Sequence, residues 1–204
     1  VPYWARALMY LCFLAALAVC VFGIARKARG WQRGRKSGVS VSPAKALGRL
    51  WRDAVLQAKI WRSGAAGLSH ALVFWGFVVL FIGTCIVALE EYGSWLLGRE
   101  HLLFTGNFYL GVSFALEVFG IFFLVGLVLA LSRRKTGGRF RPLNRPIDLA
   151  LLWLFLVIGL TGFLTEGLRI AAAGGGMEEH PYERWSFVGW GLARCLQDVE
   201  LAVL

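Results

Sequence analysis

Histidine is scarce in this chain, with three in 204 residues, and cysteine is nearly so, with four. Cys12, Cys20, Cys85 and Cys195 stand apart without a C-x-x-C pair. That spacing excludes a zinc site, an iron–sulfur site and a disulfide framework built from these residues alone. Acidic residues are also few, 12 against 22 lysines and arginines. A basic balance of this size would suit nucleic acid, but here the cations flank long uncharged runs, so lipid headgroups are the better partner and no nucleic-acid contact is expected. The chain opens at Val1 without methionine, which reads as a trimmed start. The first apolar run is too long and too well flanked for a cleaved signal peptide.

What the sequence has in abundance is apolar side chain, 58% of all residues, gathered in blocks. A charge-free run of about 20 apolar residues matches the ~30 Å hydrocarbon core of a bilayer. Four such runs occur, about 7–25, 68–89, 108–131 and 147–168. The first closes on Arg26, Lys27, Arg29, Arg33, Arg35 and Lys36, and the third on Arg133, Arg134, Lys135, Arg139, Arg141 and Arg145. The loops after the second and fourth runs carry Glu90, Glu91, Glu100, Glu178, Glu179 and Glu183 instead. By the bias of cations toward the cytoplasm, the N-terminus lies outside and the basic loops inside.

Two amphipathic stretches complete the expectation. Ser42-Pro43 reads as an N-cap followed by proline at the first helical position. It opens a helix over about 43–62, with Leu47, Leu50, Trp51, Ala54, Val55 and Ala58 opposite Lys45, Arg49, Arg52, Lys59 and Arg62, suited to the headgroup plane. The segment from Ser186 onward is apolar, but Arg194, Gln197, Asp198 and Glu200 interrupt it. Each central charge costs about 2.5–3.5 kcal/mol on insertion scales. Val188, Leu192, Cys195, Leu196, Val199 and Val203 recur at helical spacing, so a helix lying on the outer face is expected in place of a fifth span. The fold class is therefore an all-α membrane protein with four transmembrane helices and two amphipathic interfacial helices. Residues 1–172 form the transmembrane part, and 173–204 an outer-face loop and helix.

Within the spans, ionisable groups are the candidates for chemistry, because a polar side chain in lipid needs a partner. His70 lies a turn inside the second span, in Gly-Leu-Ser-His-Ala-Leu-Val-Phe-Trp-Gly-Phe (67–77). Imidazole is a usual axial ligand of haem iron. Gly67, Phe74 and Phe77 share its helical face, a glycine that admits a flat macrocycle and aromatics that pack its edges. The bland alternative is a neutral histidine bonded to a neighbouring helix, and no second intramembrane histidine completes a pair. His101 and His180 fall in outer loops and read as solvated. Glu117, midway along the third span, is either a proton relay or a buried polar pin between helices. Glu166 and Arg169 are three apart near the outer end of the fourth span and share a face. They form an interfacial anchor or the wall of a quinone headgroup site. Gly120, Gly126, Gly159 and Gly162 permit close helix approach. Trp4, Trp51, Trp61, Trp95, Trp185 and Trp190 read as an interfacial belt.

Several strings carry a resemblance: residues 67–77 with Phe81-Ile82-Gly83-Thr84, Gly106-Asn107-Phe108-Tyr109-Leu110, Ala130-Leu131-Ser132-Arg133-Arg134, and Thr161 through Ala171. In this order they resemble the membrane domain of heterodisulfide-reductase-related iron–sulfur oxidoreductases, akin to the b-type cytochrome gamma subunit of respiratory nitrate reductase. The resemblance spans nearly the whole chain. It implies five spans, a haem b held by histidines of the second and fifth, quinone or quinol exchange in a bacterial or archaeal cytoplasmic membrane, and electron transfer to a cytoplasmic iron–sulfur subunit or domain. On that pattern His70 is the haem ligand nearest the cytoplasm. The nitrate reductase cytochrome has another histidine ten residues on for a second haem, where this chain has Leu80. The fifth helix would begin near Leu204, so the resemblance implies a fragment with half a haem site and iron–sulfur clusters only in a missing part or partner. Such a piece transfers electrons as part of an oxidoreductase and is not catalytic alone. Two rivals stand beside it: a haem-free membrane anchor for a partner, and a small transporter using Glu117, which would want internal repeats and broken helices that the sequence does not contain.

Overall fold

The computed structural model describes residues 3–33, 42–57, 60, 63–98, 103–104, 106–135, 146–172 and 181–196. All regular structure among them is helical: α1 (Tyr3–Gln32), α2 (Pro43–Leu50), α3 (Ala65–Leu97), α4 (Gly106–Lys135), α5 (Pro146–Ala172) and α6 (Phe187–Leu196). A π-helical turn, Trp51–Val55, prolongs α2, and a short 3₁₀ turn, Pro181–Trp185, precedes α6. Among the described residues, α1, α3, α4 and α5 are long and apolar enough to cross a membrane. In lipid each backbone N–H and C=O must be satisfied within its own segment, which is why these apolar runs are helices. The chain is a multi-pass membrane protein.

Each spanning helix outruns its apolar block by one or more turns. The overrun at the C-terminal end is longest in α3, where the apolar run suggests an end at Glu90-Glu91 but the helix continues to Leu97. Glu90 explains it. This side chain is buried, and its Oε2 accepts the amide N–H groups of Leu103 (2.6 Å) and Phe104 (3.3 Å), tying the far side of the turn back onto α3. The carboxylate is thus an internal strap and does not mark the helix end. α2 starts at Pro43 as expected, with the Ala46 N–H on the Ser42 carbonyl at 3.0 Å. It is shorter than the expected 43–62: helical structure ends at Val55, and Gln57 takes a positive φ of 52°, which a right-handed helix cannot accommodate.

The molecule divides into two compact units, residues 1–48 and 49–204. The first contains α1, whose side chains are apolar all round between Arg6 near its start and Arg26, Lys27 and Arg29 near its end. In the second, α4 is central: α3 packs along it on one side and α5 on another, and α6 lies against α5. The core is small, made of Ala71, Phe123, Leu127, Leu131, Ile170 and Ala193. Phe155 of α5 wedges between Phe77 of α3 and Phe123 of α4, with ring centroids 6.3 and 6.1 Å away. Most other large apolar side chains of the long helices face outward, as helices surrounded by acyl chains require. The four cysteines are free and exposed.

Small residues set the distance between α3 and α4. A Cβ on Gly76 would stand 2.7 Å from Phe123 Cβ and 2.9 Å from the Phe119 carbonyl oxygen. One on Gly126 would stand 2.8 Å from the Val73 backbone nitrogen. Backbone cannot rotate out of the way, so these glycines fix the crossing by allowing close van der Waals contact, which drives helix association in lipid. Gly120 and Gly159 likewise meet Phe163 and Leu124, whereas Gly162 faces open space, against the expectation for it.

Substitution separates the two kinds of glycine. Gly76→Ala should destabilise the α3–α4 pair by about 1–3 kcal/mol through overpacking. Gly111→Ala, where nothing lies within 4 Å of the added carbon, should be neutral or slightly stabilising through helix propensity. Thermal unfolding of the two variants in detergent reads the contrast directly.

Candidate functional site

His70 sits in the second turn of α3. Its side chain is exposed, as is Phe77 two turns on, while Phe74 is half-buried and Gly67 is buried. Among the described residues the imidazole meets Phe74, whose ring stacks at 6.4 Å and 20°. Phe77 in turn stacks on Phe81 at 6.4 Å and 11°. The structure thus puts His70 against Phe74, whereas Phe77 pairs with Phe81 and with Phe155 of α5. No neighbouring helix supplies a hydrogen bond to His70 among the described residues. Groups of three or more His, Cys, Asp or Glu that could hold a metal ion are also absent among the described residues. His101 and His180 lie outside them.

A second constellation lies where α5 meets the 3₁₀ turn and α6. The expected pair is present: Arg169 donates from Nε and NH2 to the two oxygens of Glu166, at 3.1 and 2.9 Å. The same guanidinium also donates from NH1 and NH2 to both oxygens of Glu183, at 3.1 and 2.8 Å. Glu183 is buried, and its position in the 3₁₀ turn makes the fork a clasp between α5 and the segment leading into α6. Such two-toothed arginine–carboxylate pairs carry geometric specificity as well as energy. The Tyr109 hydroxyl, hydrogen-bonded to Ser113 on α4, lies close enough to feel all three charges.

α6 is bound more intimately than a helix resting on the surface. A Cβ on Gly167 would stand 2.7 Å from Leu192 Cβ, and one on Gly189 would stand 2.6 Å from Glu166 Cγ. The face packed on α5 is Gly189, Leu192 and Ala193, whereas Cys195, part of the expected apolar stripe, is exposed. Periodicity of large side chains misses a contact made by small ones. Residues 197–204, the rest of that expected helix, lie outside the described residues.

The first turn of α6 meets Glu117. The Gly189 amide N–H donates to Glu117 Oε1 at 3.2 Å, and the Val188 amide points toward the same carboxylate. The first amides of a helix have no partner inside it, and the helix dipole favours negative charge there. Glu117 is thus a cap supplied by another helix, a contact that both the polar-pin and the proton-relay readings accommodate. Of the residues that hold this corner together, Glu183, Gly189 and Glu90 escape a reading of the sequence. Only Glu90 leaves a trace there, as a carboxylate at the edge of an apolar run that would otherwise continue.

The clasp has a measurable consequence. Glu183→Gln removes charge from two bonds to Arg169, each worth at most about 1.5–3 kcal/mol and less here because the Arg169 side chain is half exposed and screened. Amide hydrogen exchange over 187–196 should speed up in this variant, while exchange in α3 stays unchanged.

No protein-family model matches the chain, and no solved structure does. It is similar to the EtfAB:quinone oxidoreductase of Syntrophomonas wolfei subsp. wolfei, at 35% identity over 203 residues that cover 95% of this chain and 27% of that protein. It is also similar to one subunit of the dihydromethanophenazine:CoB–CoM heterodisulfide reductase of Methanosarcina thermophila, at 29% identity over 119 residues, 57% of this chain and 44% of that relative. The chain spans less than half the length of either curated relative. With four apolar spans, it is a membrane protein related in sequence to a quinone-linked oxidoreductase and to a component of a heterodisulfide reductase.

Proposed function

We propose that this chain is a membrane-embedded haem b electron-transfer domain that links the quinone pool to a cytoplasmic iron–sulfur oxidoreductase module. Its basic loops face the cytoplasm and its N-terminus faces outward, as the distribution of lysine and arginine argues. The observation that carries the reading is His70: an imidazole one turn inside an apolar span, stacked on Phe74 and bonded to no protein group among the described residues. An intramembrane imidazole without a partner is costly unless a ligand occupies it. The names of the two relatives, one a quinone oxidoreductase and the other a heterodisulfide reductase component, support the quinone and partner-protein parts of the reading.

The residues present fit haem b on one side. His70 would be an axial ligand of the iron, with Phe74 and Phe77 against the macrocycle and Gly67 at its border. The second axial ligand is not among the described residues. Bound there, haem b would supply a reversible one-electron carrier. The contribution of this chain is to hold and orient the imidazole, through the stack on Phe74, and to keep water from that face with apolar and aromatic side chains. On the quinone side, Glu166 and Arg169 lie on the face of α5 that meets α6, and in this reading the headgroup is held at the corner that their clasp builds.

A reduced-minus-oxidised optical spectrum of membranes holding the native protein tests it. A b-type signal is expected in the wild type, and His70→Ala should abolish or strongly reduce it without lowering the amount of protein in the membrane. A well-folded wild type with no haem would overturn the reading and leave a membrane anchor for a partner protein.

A further inference from the structure

The Arg169 fork is fully engaged by two carboxylates, so it has little to offer an incoming ligand without releasing α6. Glu117 differs. It is 4% exposed, its Oε1 takes the Gly189 N–H, the Val188 amide points toward the same carboxylate, and its Oε2 is buried with no hydrogen-bond partner among the described residues. A buried carboxylate oxygen left unpaired among apolar helices is unfavourable unless a proton or a ligand meets it. One turn earlier on α4, Phe114 packs edge-to-face on Trp185 at 5.9 Å and lies 6.3 Å from Phe187. These three rings are 46%, 47% and 41% exposed, although each is large and apolar. They flank the seam between α4 and α6 whose interior holds Glu117. Flat aromatic faces at the surface and one unsatisfied carboxyl oxygen behind them suit a planar, oxygen-bearing aromatic headgroup on an apolar tail.

Resting on the quinone reading above, we propose that Glu117, in place of the Glu166–Arg169 pair, bonds the quinone oxygen and exchanges its proton, with the headgroup stacked among Phe114, Trp185 and Phe187. Quinone reduction takes two electrons, which a one-electron carrier held at His70 would supply in turn. The O–H bond of the Glu117 carboxyl breaks, a new O–H forms on the headgroup oxygen, and the Gly189 N–H holds the carboxylate left behind. The second proton comes from water at the far headgroup oxygen. Quinol oxidation is the reverse, with Glu117 as the base.

The test uses the native protein in membranes with menadione as the added quinone. It compares wild type, Glu117→Gln, Glu166→Gln and Phe114→Leu by redox-difference infrared spectroscopy and by haem reoxidation. Glutamine keeps an oxygen for the Gly189 N–H, so α6 should retain its hydrogen-exchange protection. The wild type should show a carboxyl band that responds to menadione reduction, and only Glu117→Gln should lose it. Menadione-dependent haem reoxidation in that variant should fall about a hundredfold or more, the usual weight of a positioned general acid. Phe114→Leu should raise the KM for menadione with little change in kcat. An unchanged band and rate in Glu117→Gln would make Glu117 a structural pin and overturn the proposal, as would loss of the band in Glu166→Gln instead. A wild type with a haem signal but no response to menadione would overturn the quinone step. A wild type without any haem signal would overturn the underlying reading before the variants are compared.

Discussion

Hydrocarbon offers no hydrogen bonds, so each polar group inside the membrane must be met by the protein itself or by something the protein binds. That constraint organises the structure beyond making the long runs helical. Glu90 is met by the amides that open the return toward α4. Arg169 is met by Glu166 and Glu183, and Glu117 by the free amide at the start of α6. These three residues each fasten a neighbouring segment, and Arg169 and Glu117 hold the start of α6 and the turn before it. His70 and one oxygen of Glu117 have no such hydrogen bond among the described residues. The functional reading starts from those two groups.

Packing follows a second rule of the same solvent. Lipid is as apolar as leucine, so burying leucine against leucine brings helices together only weakly, and close contact at small residues does more. Gly76 and Gly126 set the α3–α4 crossing, and Gly167 and Gly189 set that of α5 and α6. Each pair has backbone or side-chain atoms where a larger side chain would have to go. The stiff frame they make has α4 at its centre and carries the His70–Phe74 pair on one helix and the Glu117 seam on another.

The parts of this fold governed by long-range averages were legible in the sequence. Four spans, the helix start at Pro43, the start of the last helix after Ser186 and the Glu166–Arg169 pair all follow from hydropathy, capping or helical spacing. The parts governed by tertiary contact were not. α3 runs past Glu90 because amides thirteen and fourteen residues away reach back to it. The helix at Pro43 stops early at a positive φ near Gln57, where the amphipathic pattern alone would carry it on. α6 packs through Gly189 and Ala193, which hydrophobic periodicity discounts, and Glu183 joins Arg169 only because a 3₁₀ turn brings it there. At the candidate haem site helical spacing puts Phe74 beside His70, as observed. Whether His70 would be buried against another helix or exposed is a matter of packing that spacing does not encode.

In this account electrons pass between a quinone held near α6 and a haem held at His70, and that coupling is open to direct observation. Anaerobic addition of a quinol to membranes containing the native protein, followed by the b-type absorption band in a stopped flow, measures it. The account predicts that the band of the reduced haem appears on mixing and reaches most of the amplitude obtained with a chemical reductant. A band raised by the chemical reductant but not by the quinol would contradict it.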